Sequence, residues 1–136
     1  MIVVDASIAV KLVLNEPDSG IVRDLWQQWA MTGELRLAPP LFRTETLSVV
    51  RRAIHRGLLS ERDGNAAVEE LFALPMEIRE PVALYRRAWE FAKRFQRPTV
   101  YDSCYLALAD IEGCDLWTAD QRLVNAVGNL SWVRIP

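Results

Sequence analysis

Histidine is nearly missing from this chain: His55 stands alone among 136 residues. That excludes a His-rich zinc centre, and any Ser-His-Asp triad would have to run through His55. No G-x-S-x-G elbow accompanies it. His55 sits in "RRAIHRG" and reads as part of the last turn of a helix, where a cation complements the helix dipole. Cysteine is almost as scarce. Cys104 and Cys114 have no metal-ligand spacing and read as packed thiols of a reducing compartment rather than a disulfide. No apolar run approaches the ~20 residues of a membrane span. The opening residues do not read as a signal peptide, because Asp5 and Lys11 interrupt them and no basic segment precedes them. No G-x-G-x-x-G follows the first apolar stretch, which counts against dinucleotide binding. A strong charge excess is lacking too. The net charge of −2 neither announces nor excludes a polyanionic partner, since distribution outweighs the sum. The expectation is a cytoplasmic protein with no membrane association.

What is present is an alternation of short apolar runs and helical stretches. "IVV" reads as a buried strand, followed by a short helix that ends near Pro17. "DSGIVRDLWQQWAMTG" reads as a second helix, with Asp18 or Ser19 as N-cap and Ile21, Leu25 and Trp29 as its apolar stripe. "ELRLAPP" is predicted as a strand in which Leu35 and Leu37 alternate with polar residues. Helices are predicted in "PPLFRTETLSVVRRAIHRG", closed by Gly57, and in "SERDGNAAVEELFALP", capped by Ser60. "MEIRE" is a candidate strand. "VALYRRAWEFAKRFQRP" carries Leu84, Ala88, Phe91 and Phe95 on one stripe, and "VYDSCYLALADIEG" is a helix of small residues. "CDLWTA", "DQRLVNAVG" and "SWVRI" read as strand, helix and strand. Such alternation predicts an α/β fold with a mostly parallel sheet flanked by helices, in a single domain over residues 1–136.

Four acids occupy unusual places in this layout. Asp5 follows the first strand, and in open parallel sheets ligands bind outside the carboxyl ends of the strands. Asp5 also suits the N-cap of the next helix, and both roles can coexist because a capping carboxylate keeps a second oxygen. Asp120 repeats that layout in "DLWTADQRL". Glu45 shares a helix face with Leu41, Ser48, Val49 and Arg52. Asp102 begins the small-residue helix, where Thr99 and Ser103 offer alternative caps. Converging carboxylates repel, by roughly 4 kcal/mol per pair at ~4 Å and an effective dielectric near 20. Hard divalent cations such as Mg²⁺ or Mn²⁺ relieve that repulsion, and carboxylate-held metals are suited to phosphodiester hydrolysis.

The stretches "IVVDASIAVKLVLNEP", "APPLFRTETLSVVRRA", "TVYDSCYLALA" and "LWTADQRL", in this order and spacing, resemble a PIN-domain ribonuclease. More closely, they resemble a VapC-type toxin of a type II toxin–antitoxin pair. The resemblance spans nearly the whole chain. It implies a PIN-like three-layer α/β/α fold and a magnesium-dependent endoribonuclease, with Mn²⁺ able to substitute. It places the catalytic acids at Asp5, Glu45, Asp102 and Asp120, and the metal chiefly on Asp5 and Asp102. Ser7 and Thr118 fall on positions that orient carboxylates or water. Ser48 stands where the family has an asparagine and keeps the capacity to donate a hydrogen bond. The implied partners are an RNA substrate, a cognate VapB-type antitoxin and a second copy of the chain, assembled into a larger complex.

Two arginine-rich stretches are candidates for RNA contact, one around Arg43, Arg51, Arg52 and Arg56, the other around Arg86, Arg87, Lys93, Arg94 and Arg97. Arg51, Arg52 and Arg94 are the individual candidates, set against a simply solvated helix face. Trp26 and Trp29 suit either an antitoxin-binding groove or core packing, and Trp132 suits the core. Three alternatives stay open: a PIN-type nuclease outside a toxin–antitoxin pair, acting in RNA processing or on structured DNA; a magnesium-dependent phosphatase; and a non-catalytic binding scaffold. The stretch "DAS" disfavours an aspartyl-phosphatase D-x-D motif, and retention of all four acids disfavours the scaffold.

Overall fold

Ile2, Val3 and Val4 form β1, the central strand of the sheet. The computed structural model describes residues 1–136. Around β1 lie β2 (Arg36–Ala38), β3 (Glu77–Ile78), β4 (Asp115–Trp117) and β5 (Val133–Arg134), in the order β3-β2-β1-β4-β5. Every neighbouring pair is parallel. The chain lays down β1, β2 and β3 in one direction, then crosses back to place β4 and β5 on the other side of β1. The strand order therefore reverses between β1 and β4, and the carboxyl ends of strands at such a switch point are where open parallel sheets place their ligands.

Side chains of β1 alternate between two cores, as the pleat requires. Val3 joins the larger core with residues of α3 (Leu41–His55), α4 (Glu61–Ala73), α5 (Leu84–Arg94) and α6 (Tyr101–Glu112). Ile2 and Val4 join a smaller core with Ile8 of α1 (Ala6–Val13) and with Val22 and Trp29 of α2 (Ser19–Met31). Helices thus cover both faces, giving the three-layer arrangement. Helix α6 is the most enclosed, with every residue from Ser103 to Ala109 buried. Its small side chains let neighbouring backbones approach closely, and Gly113 ends it at φ 64°, in the left-handed region. Gly57 closes the turn after α3 in the same way, at φ 72°. No helix is long and apolar enough to cross a membrane.

Several local expectations are corrected, while the packing of Trp29 and Trp132 and the free state of both cysteines hold. In α2 the buried stripe starts at Val22, while Ile21 is 60% exposed. Seven residues advance a helix by nearly two whole turns, so Val22 lies almost directly in line with Trp29, whereas Ile21 is well off that line. Asp18 occupies the N-cap position of α2 without a capping hydrogen bond and pairs with Lys11 instead. Ser19 donates to the Leu14 carbonyl. Leu35 lies outside β2 and faces solvent, its carbonyl accepting the Ile2 N–H at 2.9 Å. Helix α6 has Val100 at its N-cap; neither Thr99 nor Ser103 caps it. Trp29 packs edge-on against Trp117, and Trp132 against Phe91. Cys104 and Cys114 are unpaired thiols.

The seat of α3 depends on a close approach to α4. A Cβ built on Gly64 would lie 2.3 Å from Ile54 Cδ1 and 2.8 Å from its Cγ1. Gly64→Ala should therefore destabilise the protein by about 1–3 kcal/mol through overpacking, despite alanine's better helix propensity. In an Ile54→Ala background the same substitution should become stabilising. A denaturant double-mutant cycle checks this, and additive effects would show that the contact does not limit packing.

Candidate active site

Asp5 sits at the seam between β1 and β4. Its backbone N–H still donates into the sheet, to the Trp117 carbonyl at 3.0 Å, while its side chain begins α1. One carboxylate oxygen, Oδ1, accepts the Ser7 N–H at 3.0 Å. The other, Oδ2, accepts the Thr118 hydroxyl at 2.5 Å. Thr118 is fully buried and Asp5 is 6% exposed. Because Thr118 spends its only hydrogen on Asp5, its oxygen is an acceptor for everything else. It takes the Asp120 N–H at 3.0 Å and, by elimination, the more distant Ser7 hydroxyl at 3.4 Å. Ser7 Oγ in turn accepts the Ala119 N–H at 2.9 Å. Ser7 and Thr118 thus stitch the end of β1 to the end of β4.

The other acids arrive from three directions. Asp120 caps the six-residue α7 (Gln121–Ala126), its Oδ1 accepting the N–H groups of Arg122 and Leu123. Asp102 lies in the first turn of α6, and its Oδ2 accepts from Arg97 Nη2 at 3.0 Å. Glu45 comes from the middle of α3, and its Oε2 accepts the Tyr105 hydroxyl at 3.1 Å. Tyr105 escaped the sequence reading. The available signal was its place three residues after Asp102, which puts it on the same side of α6. Burial, together with Asp5 and Glu45, holds its hydroxyl firmly protonated.

The acids feel one another. Burial pushes the Asp5 carboxyl up to about 6, against the Thr118 and Ser7 hydrogen bonds, and repulsion from Asp102 and Asp120 adds to the rise. Burial also pushes Glu45 up to about 7, with repulsion from Asp5 and Asp102 reinforcing it and Tyr105 and Arg52 opposing it. Glu45 and Asp102 line an open cleft of about 500 Å³, together with Ser48, Arg52, Thr99 and Tyr101. Asp5 and Asp120 do not line it. Arg52 is thus the candidate arginine at the cleft. Arg51 pairs with Glu61 on the surface, and Arg94 lies over the Phe95 ring. Ser48 Oγ donates to the Thr44 carbonyl, so its hydrogen is committed within its own helix.

The donor set suits a hard divalent cation, being all oxygen and containing carboxylates that are costly to ionise together. As the side chains stand, no three acidic groups close into a metal cage, and Arg97 supplies the cation at Asp102.

The sequence profile of the PIN domain family matches residues 2–129. The chain belongs to the PIN domain family. Among its relatives, Ribonuclease VapC12 of Mycobacterium tuberculosis is 35% identical over 130 residues, covering 95% of this chain and 94% of that protein. Ribonuclease VapC9 of the same organism is 36% identical over 123 residues, covering 90% and 88%. These matches place the chain among the VapC-type PIN ribonucleases. The fold agrees. The crystal structure of M. tuberculosis VapC20, a sarcin–ricin loop cleaving toxin, aligns with a TM-score of 0.68 at 20% identity over 93% of this chain and 95% of that one. PAE2754 from Pyrobaculum aerophilum aligns with a TM-score of 0.72 at 17% identity, over 98% and 87%.

The raised pKa values carry a stability consequence for this PIN domain. Folded Asp5 keeps its proton to about pH 6, whereas the unfolded chain releases it near 3.8. The penalty for ionising Asp5 is absent below pH ~4, grows as pH rises and is complete above pH ~6, at on the order of 3 kcal/mol. Glu45 acts with the same sign between 4.5 and about 7. Without divalent metal, Asp5→Asn should therefore melt several degrees above wild type at pH 7.5 and gain little at pH 4. Melting curves at both pH values check this, and an equal shift at both would exclude titration as the cause.

Proposed function

We propose that this PIN domain is a magnesium-dependent endoribonuclease and the toxic member of a VapB–VapC pair. The observation that carries the reading is the buried Asp5 carboxylate, fixed on both oxygens at the β1–β4 seam and electrostatically coupled to Asp102, Asp120 and Glu45. So much negative charge in one partly desolvated place favours a bound cation over bare repulsion. Asp5 and Asp102 would hold Mg²⁺ or Mn²⁺, with Glu45 and Asp120 completing the acidic ring. The metal would supply Lewis acidity toward the scissile phosphate and an acidified water as nucleophile.

The protein's own part is orientation. Thr118 and Ser7 fix the Asp5 carboxylate plane. Tyr105 fixes Glu45, which is poised to accept a proton near neutrality because burial raises its affinity for one. Arg52, on the same cleft wall as Glu45, is placed to contact an RNA phosphate. Arg97 is paired with Asp102 and would have to yield that carboxylate. In-line attack by water leaves a 3′-hydroxyl and a 5′-phosphate, with no covalent protein intermediate. The VapC relationship supports a VapB-type antitoxin partner, a homodimer and a larger complex of the two, in the cytoplasm. An antitoxin basic side chain would compete at the acidic ring as Arg97 does.

Asp5→Asn and Asp102→Asn should each lower RNA cleavage by at least about 100-fold, since even outer partners of metal ligands cost 10–100-fold. Thr118→Val should cost about 10–100-fold by freeing Asp5. EDTA should silence the wild type, and Mg²⁺ or Mn²⁺ should restore it. Cleavage unaffected by Asp5→Asn or by EDTA would refute the site. Parallel assays on tRNA, rRNA and flap DNA, together with activity of the antitoxin complex, separate a toxin from a processing or DNA-directed nuclease.

A further inference from the structure

The acidic cleft continues past Asp102. A second cleft of about 380 Å³ opens beside it, and Thr99 belongs to both walls. The chemistry changes across that boundary. The second cleft is lined by Trp89, Lys93, Gln96 and Arg97, and by no carboxylate. Trp89 is 59% exposed, on the side of α5 opposite the buried Leu84, Ala88 and Phe91. Trp89 thus stands open beside cations, and Tyr85 is likewise open one turn earlier on the same helix, at 54% exposure. Arg87, nearby on the same helix, is tied down by Glu90 and Asp110. Lys93 has no ion-pair partner. Arg97 links the two clefts, lining the second while bonded to Asp102 of the first, and its Nε is buried without a partner. Gln96 is the one non-glycine residue with positive φ, at 50°. That conformation is costly for a side-chain-bearing residue, and it turns the chain sharply between α5 and Arg97.

We propose that this groove seats the single-stranded RNA next to the scissile phosphate: a flanking base stacks on Trp89, and its phosphate lies between Lys93 and Arg97. The inference rests on the nuclease reading of the adjoining cleft. Continuity through Thr99 sets the path of the strand, because a scissile phosphate in the acidic cleft places its neighbour over Thr99 and Arg97. The cations complement the backbone charge there. An exposed indole accepts any base face, provided that base is free of a duplex stack, so the groove selects single strands and loops over helices. Arg97, bonded to Asp102 without RNA, can turn its charge toward the incoming phosphate once a divalent cation takes the carboxylate.

The test uses the full chain with Ca²⁺ in place of Mg²⁺ and a fluorescein-labelled single-stranded RNA oligonucleotide, read by anisotropy across a salt series. Trp89→Leu should weaken binding roughly 5- to 100-fold, and Trp89→Phe should keep most of the affinity. Lys93→Ala should lower the slope of log K against log salt by about 0.7. A perfectly paired RNA duplex should bind wild type and Trp89→Leu alike. Thermal melts matching wild type establish that all three variants fold. Wild-type affinity in Trp89→Leu overturns the proposal. So does conversion of a dimer to a monomer in sedimentation with RNA affinity unchanged, which makes the face a contact between copies. Cleavage by wild type with Mg²⁺, measured in parallel, keeps the two readings apart. Intact cleavage with Trp89-independent binding overturns the groove alone. Trp89-dependent binding without cleavage upholds the groove and overturns the nuclease reading.

Discussion

The hydrogen bond from Thr118 to Asp5 joins the two halves of the sheet at the point where strand order reverses. An ionised carboxylate at that depth is expensive unless donors surround it. Here the donors are a hydroxyl from just beyond β4 and an amide from α1. They offset the burial cost only in part, since the Asp5 carboxyl is still pushed up to about 6. The remainder is stored as an appetite for positive charge. The fold therefore holds Asp5 in a state that is unfavourable alone and becomes favourable with a cation, which is the property an acidic hydrolytic centre needs. Burial produces the same tension at Glu45 from another element, α3.

Much of this was legible in the chain. A period-free apolar run ending in Asp5, repeated in "DLWTAD", marked two strand ends, and alternation of strands with helices implied a parallel sheet with β1 near its middle. Local rules sufficed there, because strand ends and caps are set by neighbours in sequence. What was not legible depends on distant pairs. Tyr105 meets Glu45 across 60 positions, and Thr118 meets Asp5 across 113. Ser7 and Thr118 were legible only through family resemblance. Neither helical periodicity nor charge runs could say that Arg51 would be taken by Glu61 and Arg94 laid over Phe95, leaving Arg52 at the cleft. The misplaced stripe of α2 has a simpler cause: an i, i+4, i+8 row drifts around the helix, and Val22 fits the line to Trp29 better than Ile21.

The distribution of positive charge is as informative as the acids. The net charge is near balance, yet the cations are not equivalent. Arg79, Arg87 and Arg134 are committed to surface carboxylates. Such pairs contribute little to stability, but they remove those side chains from any role in phosphate contact. Arg52 and Lys93 remain uncommitted on either side of Asp102, and Arg97 is committed to Asp102 itself. At the two clefts the unpaired cations flank Asp102, while Arg43, Arg56 and Arg86 are exposed elsewhere on the surface.

The brevity of β1 has a further implication. At three residues it exposes one side chain, Val3, to the larger core and two, Ile2 and Val4, to the smaller, and the next residue is already Asp5. No length of strand insulates the Asp5 carboxylate from either hydrophobic layer. Trp29 on one side, and Leu106 and Leu116 on the other, belong to the two cores that hold the strand carrying this carboxylate, so repacking in either core bears on its position. Sequence drift in two separate interiors can therefore retune the Asp5 carboxylate without changing any of the four acids.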